Sequence, residues 1–215
     1  MSLKFRVRLA AALALASGCL ARPPLVTQTF SIDAPPRREQ ARSRLAQVVS
    51  LKKVDVAPQF DDKSLLYRTG EHELERDPYA SFAASPGDML TAAIREYLRS
   101  SRYVRDVVEP GGEIPADLVI EVYASELSGD FRKADDAAGV LGLQFLVLPA
   151  RTASDPAPLL RKEYTRRNRV ARRSADEVVL AWNQDLSQVM QDFLRDLEAA
   201  LADAATTSRP PVERR

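Results

Sequence analysis

Chemically reactive side chains are scarce: the 215 residues include one cysteine, one histidine and one tryptophan. A single Cys excludes an intramolecular disulfide, and one Cys with one His falls short of the four ligands a structural zinc site wants. Glycine is sparse too, at 8 residues. Its one adjacent pair, Gly111-Gly112, lacks the Lys-Ser/Thr and the strand-to-helix setting of a phosphate-cradling loop. Neither sign of charge prevails, with 31 Lys and Arg against 30 Asp and Glu, so nothing draws the whole molecule to nucleic acid. The run Leu9 to Ala16 is too short to span a bilayer.

Catalytic constellations are missing as well. His72 stands alone in a predicted turn, and a lone surface imidazole has no partner to make it a general base. Asp61-Asp62 and Asp135-Asp136 are adjacent acids in predicted loops, without the desolvated pocket that separates the roles of two carboxylates. The expectation is a protein that is not an enzyme, with no metal and no cofactor beyond a lipid.

What is present begins at the amino terminus. Lys4, Arg6 and Arg8 form a basic segment, followed by the Leu/Ala run and then Ala16-Ser17-Gly18-Cys19. That order resembles a bacterial lipoprotein signal, in which small residues precede a Cys that is acylated and becomes the first residue. The usual Leu three places before the Cys is replaced by Ala16, with Leu15 one position further back. The resemblance implies a signal peptide over 1–18, lipid attachment at Cys19 and a tether over 19–26. Leu20 rather than Asp after the Cys implies, by the sorting rule of such lipoproteins, the outer membrane facing the periplasm.

The remaining composition, 45% apolar and 28% charged, is that of one ordinary globular domain. It is organised around the stretch Phe60 to Leu98. Leu66–Thr69 and Glu73–Arg76 alternate about a turn at Gly70 and predict a β-hairpin. Ser85, Pro86 and Asp88 then make a well-specified helix start, because the Ser oxygen can accept from a free N–H and Pro costs nothing at the first helical position. Leu90, Ala93, Ile94, Tyr97 and Leu98 follow as one apolar stripe.

The wording of this stretch, Ser64-Leu-Leu-Tyr-Arg-Thr-Gly70 through Asp77-Pro-Tyr-Ala and Ser85-Pro to Ile94-Arg-Glu-Tyr-Leu98, resembles the ABC-type transport auxiliary lipoproteins. The resemblance implies a mixed sheet of about five strands with flanking helices, similar to the amino-terminal domain of the translocation protein TolB. It implies no catalytic residue.

Elsewhere the pattern predicts a strand over Thr27–Asp33, an Arg-rich solvated loop over 37–44, and a strand over Val48–Val56 whose parity changes near Lys52-Lys53, as a bulge would cause. Further strands are predicted at Tyr103–Val108, Asp117–Leu127 and Val140–Leu148, with a polar, edge-like strand at Leu159–Val170. Ser174 and Glu177 read as a second capping box, opening a helix to about Ala204 with Trp182, Leu186, Val189, Phe193 and Leu197 inward. Residues 205–215 read as a disordered tail. The fold class is therefore α/β, a single domain over 27–204.

The basic run Arg161–Arg173 divides by parity, with Arg161, Arg167, Arg169 and Arg173 on one face and Lys162, Arg166 and Arg172 on the other. It serves either as a guanidinium row for anionic headgroups or as an edge strand protected from aggregation by charge. For function, the anchor and the resemblance together imply an accessory subunit of an ABC-type lipid transport system. It would dock to a periplasmic protein of the mammalian-cell-entry (MCE) type, with copies of itself as a further partner. Tyr67, Arg68, Tyr79 and Phe82 are the candidate partner contacts, since aromatics and Arg are favoured at binding anchors. The alternative is a direct lipid carrier with a pocket between the sheet and the carboxy-terminal helix.

Overall fold

In the computed structural model, residues 27–34, 47–101, 104–150 and 157–207 are described. Cys19, the signal segment, the tether up to residue 26, the Arg-rich run at 37–44 and the tail beyond 207 lie outside them.

The spine is a long antiparallel pair, β7 (Leu118–Asp130) with β8 (Ala138–Pro149), turned by a short 3-10 segment at Ala134–Asp136. β9 (Leu160–Arg169) adds antiparallel to β8. The other edge of β7 receives three strands in succession, all parallel to it. They are β2 (Val48–Leu51), β3 (Asp55–Val56) and β4 (Ser64–Arg68), meeting β7 at Leu118 to Ile120, Tyr123 to Ala124 and Gly129 to Asp130. β6 (Asp106–Val108) lies outside β2. β5 (Leu74–Phe82) pairs antiparallel with β4, and β1 (Gln28–Phe30) pairs parallel with β5.

The result is a single α/β domain with one mixed sheet of nine strands, more than the five the resemblance implied. Two of the extra strands have a physical source, because the chain from Val48 to Arg68 is one extended path along β7 that twice leaves the ladder. At the first departure Lys52 still donates to the Ile120 carbonyl (3.0 Å). The Val54 N–H turns away to the Thr91 hydroxyl at 2.8 Å. This is the parity change expected at Lys52-Lys53.

Two helices cover one face. α1 (Pro86–Ser101) begins as expected, with the Asp88 N–H donating to Ser85 Oγ at 3.2 Å and the Ser85 hydroxyl donating to Asp88 at 2.5 Å. Lys53 closes on the same carboxylate at 2.7 Å. Thr91 hydrogen-bonds back to the Gly87 carbonyl, and a β-carbon on Gly87 would lie 2.7 Å from the Val54 carbonyl. Only glycine permits that approach.

α2 (Ala175–Thr207) is 33 residues long and runs three residues past the predicted end, so the first part of the expected tail is helical. Its start differs from the predicted box: Glu177 turns outward to Arg172 at 3.0 Å.

Parity decides what the helices touch. Leu118, Ile120, Val122 and Ala124 of β7 and Leu141, Leu143, Phe145 and Val147 of β8 are buried, together with Trp182, Leu186, Val189, Met190, Phe193 and Leu197 of α2. Each Val, Leu, Ile, Phe or Met side chain among them contributes about 1.5–3 kcal/mol by leaving water. Phe145 stacks on Phe193 with centroids 4.2 Å apart. The Trp182 Nε1–H is shared between the carbonyls of Ser128 and Val140, at 3.2 and 3.1 Å. These interlocked side chains fill the space between sheet and carboxy-terminal helix that the carrier alternative required as a pocket.

Candidate functional site

Two surface features stand out, and both start from departures in the strand ladder. The first is in β5. Pairing with β4 passes from Leu66↔Arg76 to Ser64↔Ser81, so Asp77 to Ala80 bulge out opposite Leu65. Pro78 has no N–H to give to a ladder and is confined to such places. Asp77 holds the bulge together: one carboxylate oxygen accepts from the N–H groups of Tyr79 (2.7 Å) and Ala80 (2.9 Å), the other from the Tyr67 hydroxyl (2.7 Å). Burial, and then the Asp77 carboxylate, push the Tyr67 phenol above its usual range.

The bulge separates the four candidate contacts. Tyr79 is carried outward and is 51% exposed, whereas Tyr67 and Phe82 are 7% and 4% exposed. Tyr67 stacks on Phe131 at 4.6 Å and Phe82 tilts against Trp182 at 5.8 Å. These two rings are core residues in this fold and not surface contacts. Arg68 lies on the opposite side of the sheet, with its Nη2 3.6 Å from Glu126.

The second feature is the face of the sheet that carries no helix. A register shift between Ala124 and Glu126 flips the later side chains of β7, so Glu126, Ser128 and Asp130 point to this face while Leu127 stays in the core. Arg132 makes two hydrogen bonds to Asp130, at 2.9 and 2.8 Å, and Arg167 reaches it at 3.5 Å. The Arg132 contacts hold the Asp130 carboxyl well below the usual range, at about 2. The sequence held no signal for this cluster beyond the polar alternation at the end of β7.

The basic run is divided as parity predicted, and most of its members are engaged within the fold. On the open face Arg167 and Arg169 reach Asp136 at 3.0 and 3.3 Å, and Arg173 donates to the Phe131 carbonyl at 2.5 Å. On the helix face Lys162 and Tyr164 meet Asp196, Arg166 meets Asp192, and Asn168 meets Gln184. β9 is thus fastened to α2 by an ionic ladder. Structural neutralisation accounts for most of these cations, and Arg161 and Arg173 are the members with no ion pair among the described residues.

The expected loop residues are structural as well. Asp62 accepts from the Ser64 N–H at 2.7 Å and faces Arg76 at 3.3 Å, while His72 is exposed in the β4–β5 turn. Among the described residues, no group of three or more potential ligands is placed to hold a metal ion, and no helix is long and apolar enough to cross a membrane.

A sheet covered by helices on one side and ionic on the other, with an aromatic displayed on a proline bulge, defines a one-sided α/β domain. The chain belongs to the ABC-type transport auxiliary lipoprotein component family, whose model matches residues 29–193. That makes it an auxiliary lipoprotein of a transport system in the cell envelope. No curated protein matches the chain.

Among solved structures, a protein from Xanthomonas campestris aligns with TM-score 0.71 at 17% identity, over 83% of this chain and 99% of its own. A second, an uncharacterized protein, aligns with TM-score 0.62 at 13% identity, over 80% of this chain and 99% of its own. Both likenesses are of fold.

Proposed function

We propose that this chain is a non-enzymatic docking subunit. In this reading it is acylated at Cys19, held at the outer membrane facing the periplasm, and auxiliary to an ABC-type lipid transporter whose periplasmic component is an MCE-type protein. Family membership over residues 29–193 carries the reading. The filled core beneath α2 favours docking over carriage of lipid inside the domain. Tyr79 is the central contact: its ring is held out by the Asp77 bulge, and a pre-positioned aromatic loses little entropy on binding. Further copies of the chain are an additional partner.

The test is affinity purification from membranes in mild detergent, with mass spectrometry of the bait's amino terminus and of the proteins that accompany it. An acylated Cys19 arriving with an MCE-type protein is the expected outcome. Tyr79→Ala is expected to abolish that co-purification and leave the melting temperature near wild type, because the residue stands outside the buried core. Co-purification unchanged in Tyr79→Ala removes the bulge from the interface; an unprocessed amino terminus overturns the anchored reading itself.

A further inference from the structure

The open face of the sheet contains a concavity of about 460 Å³ lined by Arg68, Ser125, Glu126, Glu163, Thr165 and Arg167, among others. Beside it on β8, Gly142 sits opposite Glu126 on one side and Thr165 on the other. A β-carbon there would come within 2.7 Å of the Ser125 hydroxyl and 3.1 Å of Glu126 Cβ. The glycine thus leaves room for the Ser125 side chain, and the hollow lies along the β7 bulge; bulges recur where a strand must re-aim side chains.

Four polar groups open into this hollow without full partners. Arg68 is 27% exposed and meets only Glu126, at 3.6 Å, too long for a hydrogen bond, and the same carboxylate oxygen accepts from the Ser128 hydroxyl. A half-buried guanidinium with its donors unspent is costly unless something anionic completes it. The hydroxyls of Ser125 and Thr165 make no hydrogen bond, and Glu163 makes neither a hydrogen bond nor an ion pair, among the described residues. The other two cations lining the hollow differ, since Arg132 and Arg167 are occupied by Asp130 and Asp136.

We propose that this hollow binds a phosphate-bearing amine, with the phosphate held by Arg68 and the Ser125 and Thr165 hydroxyls and the ammonium by Glu163. Donors on three different strands suit a tetrahedral oxyanion, and guanidinium–phosphate pairs are among the stronger charge-assisted contacts. The free carboxylate beside them selects a ligand that also carries a positive charge, so the match is to phosphoethanolamine chemistry rather than to phosphate alone. The site goes beyond docking and uses neither Tyr79 nor its bulge.

Isothermal titration of the full chain in detergent tests it, using O-phosphoethanolamine, inorganic phosphate and glycerophosphoethanolamine. Saturable binding of O-phosphoethanolamine, tighter than that of phosphate, is expected. Arg68→Gln should weaken both by about tenfold or more. Glu163→Gln, at an exposed position where folding is not at stake, should erase the preference for the amine and leave phosphate binding unchanged. Equal binding of the glycerol diester points to a lipid headgroup as the source, and binding of the monoester alone points to a free phosphoamine. No saturable heat with any ligand, or wild-type affinities in both variants, overturns the site, and co-purification of the transport partner would be unaffected by that result.

Discussion

The two faces of this sheet are made by the same strands and held by different physics. On the helix side, apolar side chains from β7, β8 and α2 interlock with hardly any exposed surface; on the open side, Arg and Asp side chains neutralise one another in partial contact with water. Each face also contains a buried aspartate, and the two behave in opposite ways. Asp130 on the open face is embraced by Arg132 and approached by Arg167. Asp185, on α2 beside β9, is 3% exposed and has one carboxylate oxygen with no hydrogen-bond partner. Burial pushes Asp185 up to about 6, with the Arg166 charge opposing it. An ion that is surrounded by donors stabilises its fold, whereas one merely enclosed by it does not.

The largest expected effect comes from the interlocked face. Trp182→Ala removes a fully buried indole and both of its hydrogen bonds, and is expected to cost about 3–5 kcal/mol. Chemical denaturation measures it, and a loss below about 1 kcal/mol would show that the helix side does not dominate stability.

The next effect concerns Asp185. Its folded value lies above the ordinary 3.8, so the folded state holds its proton more tightly, and stability falls as pH rises from about 4 through 6. Asp185→Asn is expected to remove that slope and to raise stability at neutral pH by about 2 kcal/mol. An unchanged slope would mean the carboxylate finds solvent in the native state.

Smaller, and of opposite sign, is the contribution of Asp130. Its folded value lies below the ordinary 3.8, near 2. Its stabilisation is therefore complete above about pH 4 and is lost as pH falls towards 2, amounting to about 1–2 kcal/mol. Asp130→Asn should reduce stability at neutral pH by that amount and flatten the acid limb of a stability–pH curve. If both aspartate variants shifted the same limb, the contrast between the two faces would be wrong.

The helix-covered face was largely legible in the sequence, because burial imposes a period. Leu118, Ile120, Val122 and Ala124 mark their strand by strict alternation, and the capped start at Ser85 places α1 to the residue. The open face was legible only in part. Parity sorted the cations of β9 into two sets, yet their partners, Asp130 and Asp136 for one set and Asp192 and Asp196 for the other, lie roughly 30 residues away in the chain and leave no local signature.

The bulge in β5 was missed for a different reason. Pro78 reads as the end of a strand, and only the Asp77 carboxylate, which takes over the acceptor role of the missing ladder, lets the strand resume through Phe82. The same motif that hid the strand's length fixed which aromatic would reach the surface, and that could not be read without knowing the strand continued. Asp185 was overlooked beside the apolar stripe of α2, although an acid next to Trp182 and Leu186 is itself a signal of an unusual environment.

The succession of β2, β3 and β4 along one edge of β7 also dictates an order of assembly. β7, β8 and β9 form a meander whose partners are near in sequence, while the strands that dock on β7 come from about 60 to 70 residues earlier in the chain and must close long loops to reach it. A chain appearing amino terminus first therefore holds β2, β3 and β4 without their shared neighbour β7 until residues 118–130 have emerged. The meander, the last strands to be made, is the template on which the first ones are laid. Amide protons in the β7–β8 pair should then be protected earliest during refolding, and those of β2 and β6 latest, giving this late template a kinetic signature separable from the stability of either face.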